Sequence, residues 1–122
     1  MIVLDASAGV RTLIDSGGLA TIEPHDPCAP RLFWSEVSSS LRQIAGRGVI
    51  STQLAGDAFA GLLSARVRPE DPPELPRAAW AVADRLGWVK AYDAEYVALA
   101  QLLGCPLVTT DARLARGAGR RW

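Results

Sequence analysis

YDAEYVALAQLLGCPLVTTD, residues 92–111, reads as a helix leading into a buried strand. Tyr96, Leu99, Ala100 and Leu103 recur at helical spacing, Asp93 stands where an N-cap belongs, and Gly104 supplies the C-terminal stop. Pro106, Leu107, Val108 and Thr109 then form a short apolar run suited to a buried strand. Thr110 and Asp111 follow it, at the start of a last helix over Ala112 to Arg116. A helix that feeds a buried strand is the repeating unit of a parallel sheet.

The opening MIVLDAS, residues 1–7, begins with the same kind of strand. Ile2, Val3 and Leu4 read as a strand, Asp5 lies just past it, and Ala6 to Ile14 suits a helix that stops at Gly17 and Gly18. Leu19 to Arg31 holds three prolines and predicts at most a short helix and a short strand near Cys28 and Ala29. Phe33, Val37, Leu41 and Ile44 mark a helix with one apolar stripe, ended by Gly46 and Gly48. Ser51 or Thr52 caps a further helix whose apolar side is Leu54, Ala58 and Leu62. Pro69 to Pro76 reads as a surface loop, and Leu75, Ala79, Val82 and Leu86 mark another helix closed by Gly87. Helices alternating with short apolar strands imply an α/β fold with a parallel sheet covered on both faces. We expect a single domain over residues 1–122.

Composition bounds the function. At 122 residues and 49% hydrophobic content, the chain buries one core without staples, which excludes a disordered reading. Nothing approaches about 18 consecutive apolar residues, and no basic segment precedes MIVLDAS, so neither a membrane span nor a secretion signal is expected. Cys28 and Cys105 are far apart, no CxxC occurs and His25 is the single histidine, which disfavours a disulfide framework or a zinc site. The expected compartment is the reducing cytoplasm, with both thiols buried. Net charge is zero, against a protein that coats nucleic acid through bulk charge. Arg113, Arg116, Arg120 and Arg121 crowd the last ten residues, a surface able to face phosphate but ordinary as a solvated end.

The acids carry the chemical signal. Parallel strands end along one sheet edge, and open α/β sheets bind ligands in the crevice outside it, so Asp5 and Asp111 are brought to one place. Asp93 starts the helix running back before the second strand, and Glu36 lies early in its own helix; the same logic delivers both to that edge. Alone, Asp5, Asp93 and Asp111 each read as ordinary helix caps and Glu36 as a solvated helix residue. Together they would repel by roughly 4 kcal/mol per pair at about 4 Å and an effective dielectric near 20, so they call for a cation. All-oxygen ligation without His or Cys points to Mg²⁺ or Mn²⁺. Such an ion orients phosphate and activates water for in-line attack. Ser7 and Thr109 stand near these acids as supporting hydroxyls, each with an ordinary structural role as the alternative. Glu95, two residues after Asp93, is expected on a different helix face. Trp34, Trp80, Trp88 and Trp122 lack the placement of a base-stacking platform and read as core or interface.

MIVLDAS, LFWSEVSSSLRQI (32–44), KAYDAEYVALAQLLG (90–104) and CPLVTTDARLA (105–115) together resemble the PIN-domain ribonucleases, most closely VapC-type toxins. The resemblance runs in order over nearly the whole chain. It implies a three-layer α/β/α sandwich and a Mg²⁺- or Mn²⁺-dependent endoribonuclease acting on RNA, held in check by a cognate antitoxin. The family's four acids fall on Asp5, Glu36, Asp93 and Asp111, and its supporting hydroxyls on Ser7 and Thr109. A homodimer is also implied. Family members commonly continue into a fifth strand, whereas this sequence runs to Gly119-Arg120-Arg121-Trp122, which leaves the outer edge strand short, absent or completed by a partner. Two other classes remain open: a catalytically inactive PIN-like binding module, and a metal-dependent phosphatase of small substrates. For the phosphatase, Ser7 stands where a second Asp belongs and no downstream Lys balances the charge.

Overall fold

The apolar runs become strands buried on both faces. In the computed structural model, which describes residues 1–15, 18–88 and 91–118, Val3 and Leu4 of β1 (Ile2–Leu4) and Cys28 and Ala29 of β2 (Pro27–Ala29) are fully buried. Leu107 of β4 (Leu107–Val108) is fully buried too. With β3 (Arg68–Pro69) they form a four-stranded parallel sheet in the order β3-β2-β1-β4.

The helices follow from that order. From β1 to β2 to β3 the chain moves one way along the sheet, through α1 (Ala6–Asp15), α2 (Leu32–Gly46) and α3 (Thr52–Ser64). Right-handed crossovers place these three on one face. From β3 the chain returns past β2 and β1 to β4 through α4 (Leu75–Leu86) and α5 (Ala91–Leu103), which the same handedness places on the other. The packing agrees: α1, α2 and α3 touch one another, α4 packs along α5, and α6 (Ala112–Gly117) packs on α5. The result is the expected three-layer sandwich. The strand order reverses direction between β1 and β4, the switch point of the sheet.

Several helix signals act as their chemistry dictates. Ser51 caps α3 by accepting from the Leu54 N–H, and Gly87 closes α4 at φ 71°, a left-handed conformation that glycine adopts without strain. Gly9 of α1 lets α2 approach closely, since a Cβ there would stand 2.9 Å from ring carbons of the buried Phe33. Burial also pushes the Cys28 thiol up to about 11, as suits a packing residue and not a reactive one.

Four expectations need correction. The Pro-rich stretch is not all loop, because Arg68 and Pro69 pair in parallel with Cys28 and Ala29 as β3, and Pro76 lies in the first turn of α4. A two-residue exposed strand carries no apolar run to reveal it. Leu54 is 36% exposed, so the buried side of α3 rests on Ala58 and Leu62. Trp80 is 75% exposed on α4, which removes the core from its two expected places, core or interface. The strand expected over Pro106 to Thr109 shortens to Leu107–Val108, the two residues that pair with Val3 and Leu4 of β1. Gly17, Arg120, Arg121, Trp122 and the question of a further edge strand over 119–122 lie outside the described residues.

Candidate active site

Leu4 pairs with Val108, so the residues just beyond them, Asp5 and Thr109, meet at the switch point. The Asp5 N–H donates to the Val108 carbonyl at 3.1 Å, and the Thr109 hydroxyl donates to Asp5 Oδ2 at 2.6 Å. Ser7 Oγ lies 2.8 Å from Asp5 Oδ1 and 3.1 Å from Oδ2, and the Ala8 N–H donates to Oδ1 at 2.9 Å. Asp5 thus caps α1 while its other oxygen faces β4. It is 3% exposed, a buried carboxyl side chain in a core that is otherwise apolar among the described residues. Burial raises its carboxyl above the usual range, the three hydrogen bonds oppose this, and the charge of Asp111 adds to the rise.

Thr109 ties the two strand-end acids together. Its oxygen accepts from the Asp111 N–H at 2.9 Å while its proton goes to Asp5. Asp111 in turn caps α6, with Oδ1 accepting from the N–H groups of Arg113 at 2.8 Å and Leu114 at 3.4 Å. Ser7 accepts from the Thr110 N–H at 3.2 Å, which fastens the start of α1 to the end of β4.

Glu36 reaches this edge from α2 and is met by α5. The Tyr96 hydroxyl donates to Glu36 Oε1 at 2.5 Å, with the ring 1% exposed. Burial raises the Glu36 carboxyl, the Tyr96 hydrogen bond opposes it, and repulsion from Asp93 and Asp5 raises it further. Burial, and then the Glu36 bond, raise the Tyr96 phenol strongly, so it stays a donor. From sequence Tyr96 is only an apolar-stripe residue. Its place one turn after Asp93 was the available signal, but the partner lies 60 residues away. Tyr96→Phe keeps the packing and removes the donor; it is expected to cost about 1.5–3 kcal/mol, read as a lower urea midpoint at unchanged slope.

Asp93 is not the N-cap of α5. Helix α5 already begins at Ala91, which leaves Asp93 in its first turn, where the helix dipole favours an acid and its carboxylate is available to other groups. That carboxylate pairs with Arg113 Nη2, which also stands 3.9 Å from Asp111 Oδ2. Glu95 is not clear of the cluster either. It is half-buried, and its carboxyl is raised by burial and by repulsion from Glu36 and Asp71.

The four acids therefore form one electrostatic group: Asp5 feels Asp111, and Glu36 feels both Asp93 and Asp5. Among the described residues, no three His, Cys, Asp or Glu side chains converge closely enough as they stand to hold a metal ion. The donor chemistry nonetheless fits a hard divalent cation, being carboxylate and hydroxyl oxygen throughout. An apolar groove of about 380 Å³ between α2 and α3, with Leu41, Ala45, Ala55 and Phe59 in its walls, contains none of these acids. Its lining offers no carboxylate or imidazole for acid–base work.

Comparison with known proteins supplies the family. The chain is 34% identical over 116 residues to the VapC ribonuclease Mb0985 of Mycobacterium bovis, covering 94% of this chain and 89% of that protein. It is 33% identical over 123 residues to the ribonuclease VapC12 of Mycobacterium tuberculosis, covering 98% and 93%. The crystal structure of PAE2754 from Pyrobaculum aerophilum superposes with a TM-score of 0.74 at 27% identity, over 95% of this chain and 83% of that one. Residues 2–120 match the PIN domain. With its parallel sheet, its acids at the switch point and that match from end to end, this chain belongs to the PIN domain family.

Proposed function

We propose that this chain is a Mg²⁺- or Mn²⁺-dependent endoribonuclease, the toxin of a toxin–antitoxin pair, that arrests translation and growth until its antitoxin binds. The observation that carries the chemistry is Asp5, a buried carboxylate at the switch point that is repelled by Asp111 and shares that edge with Glu36 and Asp93. Such a group calls for a cation to offset its charge. RNA as the substrate rests on the relatives named as ribonucleases, which match along nearly their whole length.

In this reading Asp5, Asp93 and Asp111 hold the ion, with Glu36 beside them. When bound, the ion supplies charge neutralisation at the phosphoryl oxygens and a more acidic water. The chain's own residues do the rest. Thr109 and Ser7 hold the Asp5 oxygens in one orientation, and their hydrogen bonds favour its charged form. Tyr96 occupies Glu36 Oε1, which leaves Oε2 to accept a proton from an attacking water, a role suited by a carboxyl raised above its ordinary value. A homodimer in the cytoplasm completes the proposal.

Metal removal is the direct test. The purified chain is expected to cleave single-stranded RNA with Mn²⁺, to lose cleavage in chelator and to recover it with excess Mn²⁺. Cleavage that persists in chelator would overturn the metal dependence. Absence of both cleavage and calorimetric Mn²⁺ binding would leave a catalytically inactive binding module. Sedimentation at micromolar concentration reads the dimer.

A further inference from the structure

Asp93 and Asp111 stand on different helices, α5 and α6, and among the described residues the cation that ion-pairs with them is Arg113. Its Nη2 pairs with Asp93 Oδ2 and lies 3.9 Å from Asp111 Oδ2. The same guanidinium rests on the indole of Trp88, with its central carbon 4.8 Å from the ring centroid. Trp88 can lie along α6 because Gly117, one turn past Arg113, has no side chain. A Cβ there would stand 3.0 Å from the indole Cη2. Arg113 is therefore placed from two sides: two acids in front of its nitrogens and an aromatic face against its plane.

We propose that Arg113 is the resident counter-ion of this site, holding Asp93 and Asp111 together before loading and yielding their oxygens to the divalent ion that replaces it. This rests on the metal reading above. A compact ion of charge +2 attracts carboxylate oxygens more strongly than a delocalised guanidinium of charge +1. Guanidinium is also weakly hydrated and stacks well, so the Trp88 face retains it when the acids let go. Metal binding at this edge is then an exchange of cations. The apparent affinity is lower than the carboxylates would show without Arg113, and the metal-free chain depends on Arg113 to keep α5 and α6 in register.

The test is Mn²⁺ titration of the full chain by calorimetry, comparing the parent with Arg113→Gln and Arg116→Gln. Arg116 is exposed on the same helix, so its variant makes the same charge change away from the two acids. Arg113→Gln is expected to bind Mn²⁺ about three- to tenfold more tightly, a gap that narrows at high salt, and its metal-free form is expected to melt at lower temperature. Arg116→Gln is expected to shift affinity by less than about twofold. Arg113→Lys, which keeps the charge on a head too compact to bridge, falls between them and serves if the Gln variant does not fold. Unchanged or weaker Mn²⁺ binding in the Arg113 variants overturns the exchange and leaves the metal reading standing. Failure of every form to bind Mn²⁺ overturns both.

Discussion

Asp5→Asn is expected to lower RNA cleavage at least about 100-fold, because a bound ion supplies several kcal/mol of transition-state stabilisation and this side chain is its most buried proposed ligand. The same change is expected to stabilise the metal-free chain. The Asp5 carboxyl titrates above its ordinary value, chiefly because burial disfavours the charge. The folded chain therefore holds that proton more tightly than the unfolded chain does. Stability is greatest below the unfolded carboxylate value and declines as pH rises through the raised folded value. Above that value the charge is a burden that asparagine removes, while the amide oxygen still accepts from the Ala8 N–H. Thermal melts in chelator, stepped upward from the ordinary carboxylate range to pH 8, check the sign. The parent should lose stability toward pH 8, and Asp5→Asn should lose less. Some slope should remain, since Glu36 is raised by the same physics. An active Asp5→Asn enzyme would remove Asp5 from the chemistry, and one destabilised at pH 8 would show that the hydrogen bonds outweigh burial.

Phe33→Ala is expected to cost about 3–5 kcal/mol, a large part of the 5–15 kcal/mol that holds a domain of this size together. The Phe33 ring is fully buried, packs edge-on to Trp34 at 5.1 Å and fills the notch that Gly9 leaves in α1. Removing it empties the contact that seats α2 against α1. Glu36 lies one turn further along α2, so the damage reaches the acid-bearing edge as well. Urea unfolding checks the magnitude through the midpoint at unchanged slope. Phe33→Leu, which keeps most of the volume, should recover more than half of the loss. A loss under about 1 kcal/mol in the alanine variant would mean that α1 and α2 close over the gap.

How much of this was legible depends on the range of the forces involved. The helices came through because a stripe such as Phe33, Val37 and Leu41 records on one element which side is buried. Strands β1, β2 and β4 came through because both their faces are covered, which leaves an apolar run. Asp5 and Asp111 were placed on one edge by a rule that needs only parallel strands and their ends. Where sequence reading stopped, the missing information was contact between distant residues. Arg68 and Pro69 have no strand pattern of their own and pair because β2 offers an open edge. Tyr96 meets Glu36 across two helices, and Arg113 meets Asp93 only once α6 folds back on α5. Periodicity and residue type are local properties, so the alternation of elements and the presence of acids at strand ends and helix starts are written along the chain. The strand order, the hydroxyls bonded to Asp5 and Glu36, and the pairing of Arg113 with Asp93 emerge only on folding, since they are set by which helix each crossover lays beside which strand.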